Sequence, residues 1–252
     1  MSVGNGPRFA ARPIAAGGTP TDDWVGWRRP FPELDLDDCP ALVLVAPHPD
    51  DETLGFGATA ATLRSRGIDV QVVSASDGGG AVPGLSRVER TWLEGARRAE
   101  LHRATEMLGL DAPISLELPD GELSDHEAEL TERLVGLLAG RPKGTWCAAT
   151  WRGDGHPDHE AVGRASAAAA ERTGAVLLEY PVWMWHWATP DDDCVPWHRM
   201  SRAPLDAAAI ERKERAVKMF RTQLTPYHPE ADAILPEGVV RRLLSVGEVV
   251  FR

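Results

Sequence analysis

Six consecutive apolar residues, ALVLVA at 41–46, constrain this chain more than any other feature. A strand that reads as an unbroken apolar run is one buried on both faces, as in a parallel sheet covered by helices on both sides. The run has companions. DVQVVSAS (69–76), ISLELP (114–119), TWCAAT (145–150) and AVLLEYP (175–181) follow it, with helical segments between them at about 53–66, 87–109, 124–139 and 159–173. This βαβ series predicts an α/β, Rossmann-like fold: a mostly parallel sheet flanked by helices.

At 252 residues and 43% hydrophobic content the chain can bury a substantial core, and one domain is expected over 40–252. Residues 1–39 precede it as an arm. The first 23 are rich in Gly, Pro and Ala without periodicity, which suggests an extended segment that wraps the surface or a partner subunit; a homo-oligomer is compatible with that. A formal charge of −11, with Lys only at 143, 213 and 218, argues against a nucleic-acid partner, which would call for clustered cations. Cys39, Cys147 and Cys194 are odd in number and widely spaced, so they form no disulfide framework. Gly and Pro interrupt every apolar stretch near Arg8 and Arg12, so neither a signal peptide nor a membrane span can be drawn. A cytoplasmic protein without a membrane partner is expected.

In open α/β sheets the ligand site lies beyond the carboxyl ends of the strands. The loops at those ends are PHPDDE (47–52), DGGG (77–80), PDG (119–121) and WRGDGHPDH (151–159). His48 and Asp51 stand three apart in a turn that enters a helix, and His159 stands where the loop after the fourth strand enters its own. Two imidazoles and a carboxylate suit Zn²⁺, or another divalent ion such as Fe²⁺, and three protein ligands leave a position open for water. Asp50 adjoins a ligand without being needed as one, and so is free to act as general base. His156 can face the same space, to stabilise an oxyanion or protonate a leaving amine, with Asp158 as its orienting partner.

Each residue has a plainer explanation. A strand-turn-helix junction favours acids at the N-cap and in the first turn, so Asp50, Asp51 and Glu52 in isolation could be capping residues. A lone His48 would more often be structural. The recurrence of a second cluster, HPDH at 156–159, at the end of another strand shifts the balance toward one shared site.

The two loops, in this order and about a hundred residues apart, resemble those of the PIG-L or LmbE-like N-acetylglucosaminyl deacetylase family. The resemblance continues through RRAEL (97–101), LPDG (118–121) and KERAVKMFRTQ (213–223), and so covers about 40–252. It implies zinc on His48, Asp51 and His159, with Asp50 as base, and an N-acylated sugar or glycoside as substrate. It further implies that Arg97 and Asp120 contact the sugar; the plainer readings are a helix-surface Arg and a turn Asp. One departure stands out: some relatives carry a Tyr two residues before the first His of HPDH, where this chain has Asp154. An ionised Asp cannot donate to an oxyanion, which leaves that task to the metal and His156.

Rival signals exist. GFGATA (55–60) matches a dinucleotide fingerprint, with Asp77 twenty residues beyond Gly57, but its glycines fall inside a helix rather than in the turn the fingerprint needs. Close helix-sheet packing is the better use for them. Trp183, Trp185 and Trp187 alternate along an apparent strand, suited to a core or interface more than to a sugar platform, with His186 on the opposite side. Gln223 can approach the pocket or simply end a helix. A non-catalytic binding module braced by its metal is the remaining alternative, disfavoured because no fourth protein ligand is evident.

Overall fold

ALVLVA forms β1 (Ala41–Ala46), every residue of it buried. The computed structural model describes residues 5–228 and 230–252. Ahead of β1 lie α1 (Gly6–Ala10) and α2 (Thr21–Gly26). After it come α3 (Asp51–Ser65), β2 (Asp69–Ser76), α4 (Arg87–Leu108), β3 (Ile114–Leu118), α5 (Glu127–Leu138), β4 (Trp146–Thr150), α6 (Pro157–Thr173) and β5 (Val176–Tyr180). The chain continues through α7 (Met184–Trp187), β6 (Met200–Arg202), α8 (Ala207–Val217), α9 (Arg221–Leu224), α10 (Glu237–Ser245) and β7 (Val249–Phe251).

The strands form one sheet in the order β3-β2-β1-β4-β5-β7-β6. The first five are parallel, as the apolar runs predict, while β7 runs antiparallel to both β5 and β6. The α/β, Rossmann-like expectation holds. Successive residues of β1 serve opposite faces: Leu42 and Leu44 join a core with α3, α4, α8 and α10, and Val43 and Val45 join a second one with α5 and α6. The order reverses at β1, with β2 on one side and β4 on the other, so a crevice opens at the carboxyl ends of those two strands.

The apolar arm folds back on its own domain. Trp24 on α2 is buried edge-on against Trp185, with ring centroids 4.9 Å apart, and Leu34 donates its N–H to the carbonyl of Arg202. Residues 183–187 correct the strand expectation: Trp183 caps the short helix α7, and Trp183, Trp185 and Trp187 are all buried. The cause is Asp154, whose carboxylate accepts from the N–H groups of Val182, Trp183 and Met184 and so turns the chain.

GFGATA lies within α3, entirely buried. A Cβ on Gly55 would stand 2.2 Å from the Tyr180 ring, so the glycine is there for close helix-sheet approach. Lys213 and Glu248 form a buried ion pair set against the same helix. The carboxylate accepts from the N–H groups of Ala58 and Thr59, while the ammonium donates to the carbonyl of Leu54. Among the described residues no helix is long and apolar enough to cross a membrane.

Candidate metal centre

The loops after β1 and β4 meet in the crevice. His48 leaves β1, Asp51 opens α3, and His159 sits in the first turn of α6, so two strand ends and two helix starts fix three side chains. One oxygen of Asp51 lies 3.1 Å from Nδ1 of His48 and 3.3 Å from Nε2 of His159. One donor atom from each residue lies within 4.8 Å of the others. His48, His156 and Asp158 meet the same criterion, sharing His48.

Nε2 of His159 is the most telling atom. It is wholly buried and makes no hydrogen bond, although Asp51 is near. Its ring partner Nδ1 is held at 2.8 Å by Asp154, which fixes a proton there and leaves the Nε2 lone pair facing Asp51. A buried unpartnered nitrogen costs free energy unless something occupies it. Two imidazoles and a carboxylate around that atom suit a divalent cation such as zinc or ferrous iron.

The electrostatics agree. Burial alone would lower the pKa of His159, yet the charge of Asp51 and the hydrogen bond to Asp154 push it up to about 9. His48 is likewise raised despite burial, by hydrogen bonds to Asp120, Asp158 and Asp51. Both rings stand in a field of carboxylates that calls for positive charge.

Asp50 is not a side-chain cap. It occupies the N-cap position of α3 with φ 130°, outside the ordinary regions for an L residue, and its carboxylate makes no capping bond. Instead it faces the cavity, 3.5 Å from Arg97. Burial and the neighbouring charge of Asp51 raise its pKa well above the usual carboxylate range, against the pull of Arg97. Glu52, two residues on, does the local backbone work, accepting from the N–H of Asp50 at 3.0 Å.

His156 reaches the cavity, with its ring 5.2 Å from that of His48 and 4.9 Å from that of His159. Burial, then the nearby charges of His159 and His48, hold its pKa down at about 3, so its imidazole is neutral. Nδ1 accepts the N–H of Asp158, which leaves the proton on Nε2. The expected role of Asp158 therefore changes. Its backbone, not its carboxylate, orients His156; the carboxylate instead lies 3.2 Å from Nε2 of His48 and accepts from Gly121 and Leu123.

Arg97 is buried rather than on the helix surface, donating to the carbonyls of Gly78 and Pro49, and it lines the cavity. Asp120 also lines it, accepting from the N–H of Gly80 and lying 2.9 Å from Nε2 of His48. Gln223 reaches the same space, held through its neighbour Thr222, whose N–H and hydroxyl both bond to Glu100 of the RRAEL segment. The cavity above the centre has a volume of about 520 Å³. Sequence reasoning missed the positioning role of Asp154, signalled only by an acid five residues before His159. It also missed the contributions of Phe9 and Ile14 to the cavity, which no local motif announces.

Residues 43–170 match the family model described as PIG-L: GlcNAc-PI de-N-acetylase. A protein from Mycobacterium sp. (strain KMS) described as 1D-myo-inositol 2-acetamido-2-deoxy-alpha-D-glucopyranoside deacetylase is 36% identical over 69% of this chain. That match spans 59% of the relative's own length. A protein of the same description from Rhodococcus erythropolis (strain PR4 / NBRC 100887) is 33% identical over 83% of this chain and 90% of its own. Among solved structures, the conserved protein TT1542 from Thermus thermophilus is similar with a TM-score of 0.57 and 27% identity, covering 80% of this chain and 84% of that one.

Proposed function

The chain belongs to the PIG-L (GlcNAc-PI de-N-acetylase) family, and on that premise we propose that it hydrolyses the amide of an N-acylated, GlcNAc-type sugar or glycoside. The observation that carries this reading is the buried, unpartnered Nε2 of His159 facing Asp51, with Asp51 and the carboxylate of Asp50 both lining the cavity. His48, Asp51 and His159 are the residues that would hold the ion, zinc by their chemistry or ferrous iron in its place. When bound there, a divalent ion supplies Lewis acidity at the scissile carbonyl.

The remaining steps belong to the chain. Asp50 accepts the proton of the attacking water, and the same carboxyl group returns a proton to the departing nitrogen. Neutral His156 offers its Nε2–H to the oxygen on which negative charge develops. Arg97, buried against Pro49 and Gly78, keeps the loops after β1 and β2 in register beneath the sugar, and Asp120 accepts from a hydroxyl while bracing His48. The products are a carboxylic acid, acetate in the simplest case, and a free amine. The charge balance favours a small-molecule partner over nucleic acid, and we place the protein in the cytoplasm, alone or as a homo-oligomer.

Metal analysis of the purified protein followed by an acetate-release screen over N-acetylated sugars, N-acetylglucosaminyl-inositol among them, tests this. Expected are about one equivalent of zinc or iron per chain and release of acetate from at least one sugar. A fully loaded protein that releases none would overturn the reading.

A further inference from the structure

Beside the polar groups His48, Asp50, Asp51, Arg97, Asp120 and Gln223, the cavity is lined by Phe9, Ile14, Ala81, Trp183, Ile234 and Leu235. We propose that the apolar lining around Phe9 and Trp183 is a binding surface for an apolar group carried by the substrate. The chain then acts on amphiphilic N-acyl amines, with a sugar-like part against Arg97 and Asp120 and an aryl or alkyl part against the arm.

The position of Phe9 is the starting point. Its ring centroid lies 5.1 Å from that of Trp183 and 6.0 Å from that of His156, which in turn stands 5.2 Å from His48. The apolar wall therefore begins beside the reacting groups. A sugar hydroxyl pressed against Phe9, Ile14 or Leu235 would lose its water and gain no partner, which is unfavourable. An aryl or alkyl group loses nothing there and removes apolar area from water.

The wall is also fixed in advance. Asn5 donates its N–H to Glu160 and its side-chain amide to the carbonyl of Gly153, tying the start of α1 to the loop that carries His156 and His159. Arg8 lies 5.0 Å over the Trp187 ring and pairs with Asp192. Phe9 and Ile14 pack on the main core. A surface that is already ordered does not charge a ligand for its ordering. Phe9 and Ile14 both precede the stretch 43–170 that the family model matches, so their part of the wall comes from the arm.

The proposal rests on the deacylase reading for its chemistry but not for its binding. Calorimetric titration in an Asp50→Asn background keeps the amide intact. The ligands are the methyl and phenyl glycosides of N-acetylglucosamine, and the N-acetyl and N-butyryl forms of the methyl glycoside. We expect the phenyl or the butyryl compound to bind roughly tenfold tighter than its parent, and Phe9→Ala to remove most of that preference. A response to phenyl puts the apolar group on the aglycone, a response to butyryl puts it on the acyl side. Ile14→Ala gives the same readout if Phe9→Ala melts early. Equal binding of all the ligands, or a preference that survives in both variants at unchanged melting temperature, would overturn the proposal. Preference without acetate release by the unsubstituted protein would keep the apolar wall and defeat the deacylase reading; release without preference would do the reverse.

Discussion

The carboxylate of Asp154 accepts from Nδ1 of His159 at 2.8 Å and, with the same two oxygens, from three successive N–H groups at Val182, Trp183 and Met184. One buried side chain thus sets the tautomer of a metal-site histidine and the turn that brings Trp183 to the cavity. Partners of this kind commonly account for about 10–100-fold in metal affinity. Asp154→Asn should therefore lower zinc affinity by that factor while leaving His48, Asp51 and His159 in place. Competition with a fluorescent chelator measures it; unchanged affinity would mean the bond to Nδ1 is incidental.

Asp50 and Asp51 are adjacent yet face different tasks. Asp50→Asn should retain a full complement of metal and lose hydrolysis by roughly 10²–10⁴-fold, the usual worth of a positioned base. Metal analysis and acetate release on the same preparation separate the two effects. Loss of metal along with activity would move Asp50 into the ligand set.

The close contact between α3 and Tyr180 leaves no room at Gly55. Gly55→Ala places a methyl group 2.2 Å from ring carbon Cδ2 of a buried Tyr whose hydroxyl is tied to the carbonyl of Val45. Overpacking of this kind costs about 1–3 kcal/mol. Urea unfolding should show that loss, and an undiminished midpoint would mean that the ring has somewhere to go.

His186 gives stability a pH dependence of definite sign. Burial, together with the charge of Arg242, holds its pKa below 6.5, while the bond to the carbonyl of Arg12 acts the other way. Arg242 donates to Nδ1 at 3.1 Å, so a second proton on the ring has no place to sit. Below 6.5 the unfolded chain takes up a proton that the folded chain refuses; stability is full above that pH and falls as pH drops through it. The urea midpoint should decline between about pH 7.5 and 5.5, and decline less in His186→Gln. Equal slopes would place the titration elsewhere.

Thiol chemistry offers a check on packing. Cys39 and Cys147 are buried, and burial pushes both up to about 12, whereas Cys194 is exposed. An aromatic disulfide reagent at about pH 8 should modify one thiol in the native protein and three after denaturation. Rapid reaction of two or more would show that a core opens readily.

Much of this was legible beforehand because periodicity and loop position are local signals. The central strands β1 and β4 are apolar runs, and a run buried on both faces has few other uses. His48, Asp51 and His159 come together because their loops end neighbouring strands, which topology alone requires. What escaped was non-local. Trp183 to Trp187 alternate as a strand would, but the carboxylate of Asp154, some thirty residues away, imposes a helical turn. Asp158 lies next to His156 in a way that suggests a carboxylate-imidazole pair, yet the N–H groups of Gly121 and Leu123 claim that carboxylate. Phe9 carries no motif, and only the folding back of the arm brings it to the cavity.

The ion pair of Lys213 and Glu248 has a consequence for assembly. The helix that begins with Asp51 meets the carboxylate of Glu248 at Ala58 and Thr59, across 190 and 189 positions of sequence. A growing chain that has emerged as far as His159 already holds every candidate metal ligand, but neither the ammonium nor the carboxylate that engages the backbone of their helix. Contacts that distant in sequence form late. During synthesis the ligands are thus gathered before the brace behind them, and the finished geometry waits on the last strand of the sheet.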